Sequence, residues 1–104
     1  MANSTDAVRC LRSLVDVEGT KVAVFEIAPG AQGVRHFHSS LCEHCICLKG
    51  QVDVKVGGSS LQSLQPGDSA EIGPGVAHQV GNPGSEPGRY LVVQHGGVYD
   101  FLEV

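Results

Sequence analysis

Aromatic side chains make up only 5% of this 104-residue chain. Phe25, Phe37, Tyr90, Tyr99 and Phe101 are few platforms for a large stacked ligand such as a flavonoid. Basic residues are also scarce, with 7 Lys and Arg against 11 Asp and Glu. They stand singly at Arg9, Arg12, Lys21, Arg35, Lys49, Lys55 and Arg89, so no basic patch offers a nucleic-acid footprint. Uncharged apolar runs reach only about five residues, far short of the ~20 that a membrane-spanning helix needs. The segment MANSTDAVRC has neither the basic nor the apolar region of a secretion signal, and a cytoplasmic location is expected. No apolar period of 3.6 residues persists over about twelve residues, so helices are incidental. A Ser-His-Asp order, a phosphate-binding loop and a paired-carboxylate motif are all missing.

Four cysteines are present, and Cys42, Cys45 and Cys47 crowd one short run. On a strand, Cys42 and Cys45 face opposite sides, while Cys45 and Cys47 share a face with Cα atoms about 6.6 Å apart. A disulfide needs Cβ atoms about 4 Å apart, so reduced thiols are expected.

Glycine, in contrast, is abundant. Fourteen glycines and five prolines punctuate short apolar alternations, the pattern of an all-β chain. Residues 8–17 form a first strand, and Val22 to Ile27 alternate up to Pro29-Gly30. Lys49-Gly50 turns into Val52, Val54 and Val56; Gly57-Gly58 leads on to Leu61 and Leu64. Further turns are expected at Pro66-Gly67-Asp68, where Asp68 caps the turn, and at Gly73-Pro74-Gly75. Residues 81–88 read as a loop, and Tyr90 to Gln94 as the last strand. About nine short strands must hide their edges, by closing into a barrel or by packing two sheets as a jelly roll.

One constellation carries chemistry. His36 and His38 stand at i and i+2, which on a strand aims both imidazoles to one face. Their Cα atoms would lie about 6.6 Å apart, close enough for both rings to place a nitrogen about 2.1 Å from one ion. Glu43 follows after enough chain to enter the next strand, and His78 arrives from a different strand beyond three turns. Three imidazoles and one carboxylate suit iron, manganese, nickel, cobalt, copper or zinc, and the ligand types alone do not choose among them.

From Gly30 the chain reads G-x5-H-x-H-x4-E-x6-G, and from Gly67 it reads GDSAEIGPGVAHQVGN. The two segments resemble the two motifs of the cupin superfamily. Gly30, His36, His38, Glu43 and Gly50 match the first, and Gly67, Pro74, Gly75, His78 and Asn82 the second. Gly73 departs from the proline common at its position, which touches the turn and not a ligand. The resemblance spans residues 22–95. It implies a single domain over residues 1–104, built as an antiparallel double-stranded β-helix, or jelly-roll barrel. His36, His38, Glu43 and His78 would be ligands to one divalent transition metal inside the barrel mouth. Gly30, Gly50, Gly67 and Gly75 would be turn residues at positive φ.

The expected function is that of a small metal-dependent enzyme acting on a small organic molecule. Four protein ligands on an octahedral ion leave two adjacent positions, which suit a dioxygenase; an isomerase, cyclase or lyase could use the same centre. Glu43 could also serve as a base. The alternative is a non-catalytic metal- or ligand-sensing module. Cys45 and Cys47 would face inward beside Glu43 and are candidates to line the pocket, or else small core hydrophobes. His44 and Cys42 would face outward, and His95 would pack at a strand end. A homodimer is expected, with residues 8–17 as the strand for exchange, and neither nucleic acid nor membrane is an expected partner.

Overall fold

The structure, a computed structural model, describes residues 7–58 and 60–104. Its regular elements are all strands: β1 Val8–Val17, β2 Thr20–Ile27, β3 His36–Phe37, β4 Cys42–Lys49, β5 Val52–Val56, β6 Ser60–Leu64, β7 Ser69–Ile72, β8 His78–Gly81, β9 Gly88–His95 and β10 Leu102–Glu103. No helix among the described residues is long and apolar enough to cross a membrane. The strands form two five-stranded sheets, ordered β1-β2-β9-β4-β7 and β10-β3-β8-β5-β6. Every pairing within them is antiparallel. This is the double-stranded β-helix expected from the sequence.

Alternation puts one face of each sheet into a shared core. Ala23, Phe25 and Ile27 from β2, Cys45 and Cys47 from β4, and Tyr90 and Val92 from β9 meet Val52 and Val54 from β5. Phe25 and Tyr90, register partners across β2 and β9, stack with centroids 5.7 Å apart. Burial of this apolar area is the main stabilising contribution to the sandwich.

The turns follow the glycines. Gly30, Gly50, Gly67 and Gly75 all adopt positive φ, at 71°, 72°, 93° and 76°. Gly50 is also constrained by space, since a Cβ there would lie 2.8 Å from the Pro87 carbonyl oxygen. Asp68 caps its turn by accepting the Gln65 N–H at 3.0 Å.

Three details differ from the sequence reading. Gly81 and Gly88 belong to β8 and β9, because both strands run further than their apolar alternation does. A short β10 follows β9 and pairs with β3. Strand β3 is only two residues long, so His38 lies just past its end.

Candidate metal centre

Strands β3 and β8 run antiparallel with His36 directly opposite His78. His38 projects beside them, and the three rings cluster with centroids 4.3 to 5.4 Å apart. One ring nitrogen from each lies within 4.8 Å of the others. From the opposite sheet, β4 presents Glu43, which points inward and is 7% exposed. Its Oε1 lies 3.1 Å from His38 Nε2, and its Oε2 lies 3.0 Å from His78 Nε2. All four residues singled out in the sequence therefore meet between the two sheets.

The rings are oriented from behind. His36 Nδ1 lies 2.8 Å from the Val34 carbonyl, and His78 Nδ1 lies 3.0 Å from that of Val76. His38 Nδ1 meets the Asp100 carbonyl. A carbonyl can only accept, so each Nδ1 carries the proton, and in the neutral ring the lone pair sits on Nε2. This is the tautomer of a histidine that binds metal through Nε2 with its other nitrogen anchored. His78 Nε2 is fully buried and has no hydrogen-bond partner among the described residues, although Glu43 Oε2 lies 3.0 Å away. An orphaned, buried ring nitrogen beside a carboxylate and two further imidazoles fits a divalent cation.

Electrostatics agree with the geometry. Burial works to raise the Glu43 carboxyl, but His38, His78 and the Gln94 amide outweigh it and hold it well below the usual carboxylate range. Burial lowers His36 to about 4, which keeps its ring neutral. For His38, burial is outweighed by Glu43 and the Asp100 carbonyl, and its pKa is raised.

Several contributors escaped the sequence reading. Gln94 stands opposite Glu43 in the β4–β9 ladder and donates to its Oε1 at 2.7 Å. Inward alternation on β9 was the available signal. Phe101 stacks on His36 with centroids 4.0 Å apart. Tyr99 packs against His38 at 5.8 Å, and its buried hydroxyl has no partner among the described residues. Asp100 accepts from the Ser39 N–H at 2.8 Å and from the Ser39 hydroxyl. No periodicity announces this segment.

Cys45 and Cys47 point inward, 1% and 0% exposed, and belong to the apolar core cluster. Burial, then the Glu43 charge, pushes the Cys45 thiol up, so it stays protonated. Cys47 lies toward the Gly50 turn, with its Sγ 3.6 Å from the Gly50 carbonyl. Asn82 stays away from the histidines and ties the β8–β9 loop, donating to the Ile27 and Glu86 carbonyls at 3.2 and 2.7 Å.

A family model described as the cupin domain matches residues 23–94. Among solved structures, the chain is similar to a protein with a double-stranded β-helix domain from Klebsiella pneumoniae. The TM-score is 0.84 at 24% identity, covering 97% of this chain and 88% of that one. It is also similar to an oxalate oxidase in complex with the substrate analogue glycolate, with a TM-score of 0.81 at 17% identity over 100% of this chain and 58% of that one. A sugar phosphate isomerase from a cupin superfamily, from Silicibacter pomeroyi, gives a TM-score of 0.67 at 26% identity over 76% and 52%. No curated protein sequence matches the chain.

Proposed function

The chain belongs to the cupin domain family, and from that membership we propose that it is a metal-dependent enzyme for a small organic molecule. In this reading His36, His38, Glu43 and His78 hold one divalent transition metal. The observation that carries it is the set of three imidazoles whose Nδ1 atoms are all anchored to backbone carbonyls. When bound, such an ion polarises a substrate oxygen or exchanges electrons with dioxygen.

Other residues bind and orient. Tyr99, whose ring packs against His38 and whose buried hydroxyl has no partner among the described residues, would offer a donor to a substrate oxygen. Phe101 covers one face of His36 and limits how water approaches it. Glu43 is the carboxylate of the centre and the group that would take a substrate proton. Four protein ligands on an octahedral ion would leave two adjacent positions open, which favours oxidation by dioxygen; isomerase, cyclase or lyase chemistry would use the same centre. The oxalate oxidase likeness is a likeness of fold and leaves the substrate to experiment.

Elemental analysis of protein purified without chelators, beside His36→Ala, tests the centre. Bound metal near one equivalent in the wild type and little in the variant is expected; equally little in both removes the reading. Dioxygen uptake by iron-, manganese- and nickel-loaded protein on a panel of diketones, polyphenols and small acids tests the reaction. Turnover under strict anoxia would replace the oxygenase with an isomerase, cyclase or lyase.

The same reading includes a homodimer. Edge strand β1 exposes Leu11, Leu14, Val15 and Val17, and an apolar edge left open invites pairing with another chain.

A further inference from the structure

On the face of β4 turned away from Glu43, a second set of ligand-type side chains meets. Cys42 and His95 are register partners across β4 and β9, and His44 lies on the same face of β4. One ligand atom from each of the three lies within 4.8 Å of the others. His44 Nε2 and His95 Nε2 are 3.1 Å apart, and Cys42 Sγ is 4.0 Å from His44 Nε2. The two rings are nearly parallel, at 9°. Two nitrogens bound tetrahedrally to one zinc ion stand about 3.3 Å apart, and a sulfur and a nitrogen about 3.6 Å. The nitrogens are close to that separation already, and the thiol needs to move in by a few tenths of an ångström.

A fourth residue stands beside the set. Glu71 is the register partner of His44 across β4 and β7, and its Oε2 lies 3.6 Å from His44 Nδ1. Too long for a hydrogen bond, this approach sets a negative charge beside the ring, which adds to the attraction for a cation. Cys42 and His44 are half-buried and His95 is exposed, so an ion can reach them from solvent.

We propose that Cys42, His44 and His95 form a second metal site, on the outer face of the sheet, for a thiophilic cation of the zinc class. A thiolate with two imidazoles is a borderline-soft donor set, unlike the nitrogen and oxygen donors inside the barrel. Three protein ligands leave the fourth tetrahedral position to water. On binding, the Cys42 S–H bond breaks, its proton goes to solvent, and the thiolate–metal bond forms.

Cobalt(II) is the probe, titrated into untagged, reduced, metal-free protein. Thiolate coordination gives an intense near-ultraviolet charge-transfer band, and the barrel centre, having no thiolate ligand, gives none. The wild type should bind cobalt with this band; Cys42→Ser and His95→Ala should lose it while keeping their circular dichroism. Cys45→Ser should keep it, and Glu71→Gln should weaken cobalt binding at this site about threefold. His36→Ala should also keep the band, so failure of the barrel centre is read separately from failure of this site. Absence of the band in the wild type, or its survival in Cys42→Ser, overturns the proposal.

Discussion

Gln94 and Glu43 face each other across the β4–β9 ladder, and the Gln94 amide donates to Glu43 Oε1 at 2.7 Å. A buried carboxylate is costly unless its oxygens are satisfied, so Gln94 adds to His38 and His78 in holding Glu43 in place and ionised. Gln94→Leu keeps the bulk and removes the donor. Metal affinity should fall about 10- to 100-fold, read by competition against a chromophoric chelator. Unchanged affinity would show that Gln94 packs without orienting.

Tyr99 offers a hydroxyl and an aromatic ring, and Tyr99→Phe deletes only the first. The metal content of Tyr99→Phe should match the wild type, because its ring still packs on His38. Turnover on whichever substrate the panel identifies should fall about tenfold, the worth of one hydrogen bond of ~1.4 kcal/mol. Wild-type kcat/KM in the variant would remove Tyr99 from substrate contact.

The chelator-treated protein should lose stability in acid. Burial holds folded His36 at about 4 against an ordinary 6.5. Between those values the unfolded chain binds a proton that the folded chain refuses, so stability falls as the pH drops. Glu43 adds to the loss further down: burial raises it, but its histidine and amide partners hold it low, and its contribution disappears as the carboxylate is protonated. The raised His38 acts on the other limb, stabilising fully below 6.5 and less as the pH rises through its folded value. Urea midpoints against pH should therefore show a maximum. His36→Gln should flatten the acid limb by on the order of 1 kcal/mol, allowing for solvent screening of a half-buried ring. An unaltered acid limb contradicts the assignment.

Gly50→Ala should be among the costly turn substitutions. It forces an L-residue to a φ of 72° and sets a methyl 2.8 Å from the Pro87 carbonyl oxygen. A loss of about 2 kcal/mol or more is expected, a fall in Tm of roughly 10 °C. Gly57→Ala shares the positive φ but meets nothing within 4 Å, and should cost less. Equal losses would mean that crowding at Pro87 is irrelevant.

Edge strand β1 supplies a test of assembly. If the apolar edge pairs two copies, Leu14→Lys with Val17→Lys should shift the mass by light scattering from dimer to monomer without altering circular dichroism. A monomeric wild type at micromolar concentration removes the dimer.

Much of this fold was legible because β-structure writes itself locally. Alternation placed β2, β4 and β9, and four glycines announced the positive φ that they adopt. The spacing of His36, His38, Glu43 and His78 was legible for a related reason, since period two fixes which side chains share a face. What alternation does not encode is which strands become neighbours. The meeting of Cys42 and His44 with His95 depends on the β4–β9 register, and that of His44 with Glu71 on the β4–β7 register. Likewise Tyr99, Asp100 and Phe101 reach the histidines through the return of the chain to β3, a tertiary event with no local pattern.

The placement of the four inner residues has a mechanical consequence. His36 and His78 hang from one sheet and Glu43 from the other, so the cluster bridges the two halves of the sandwich like a rivet. An ion seated there would raise the force needed to open the molecule without adding any apolar contact.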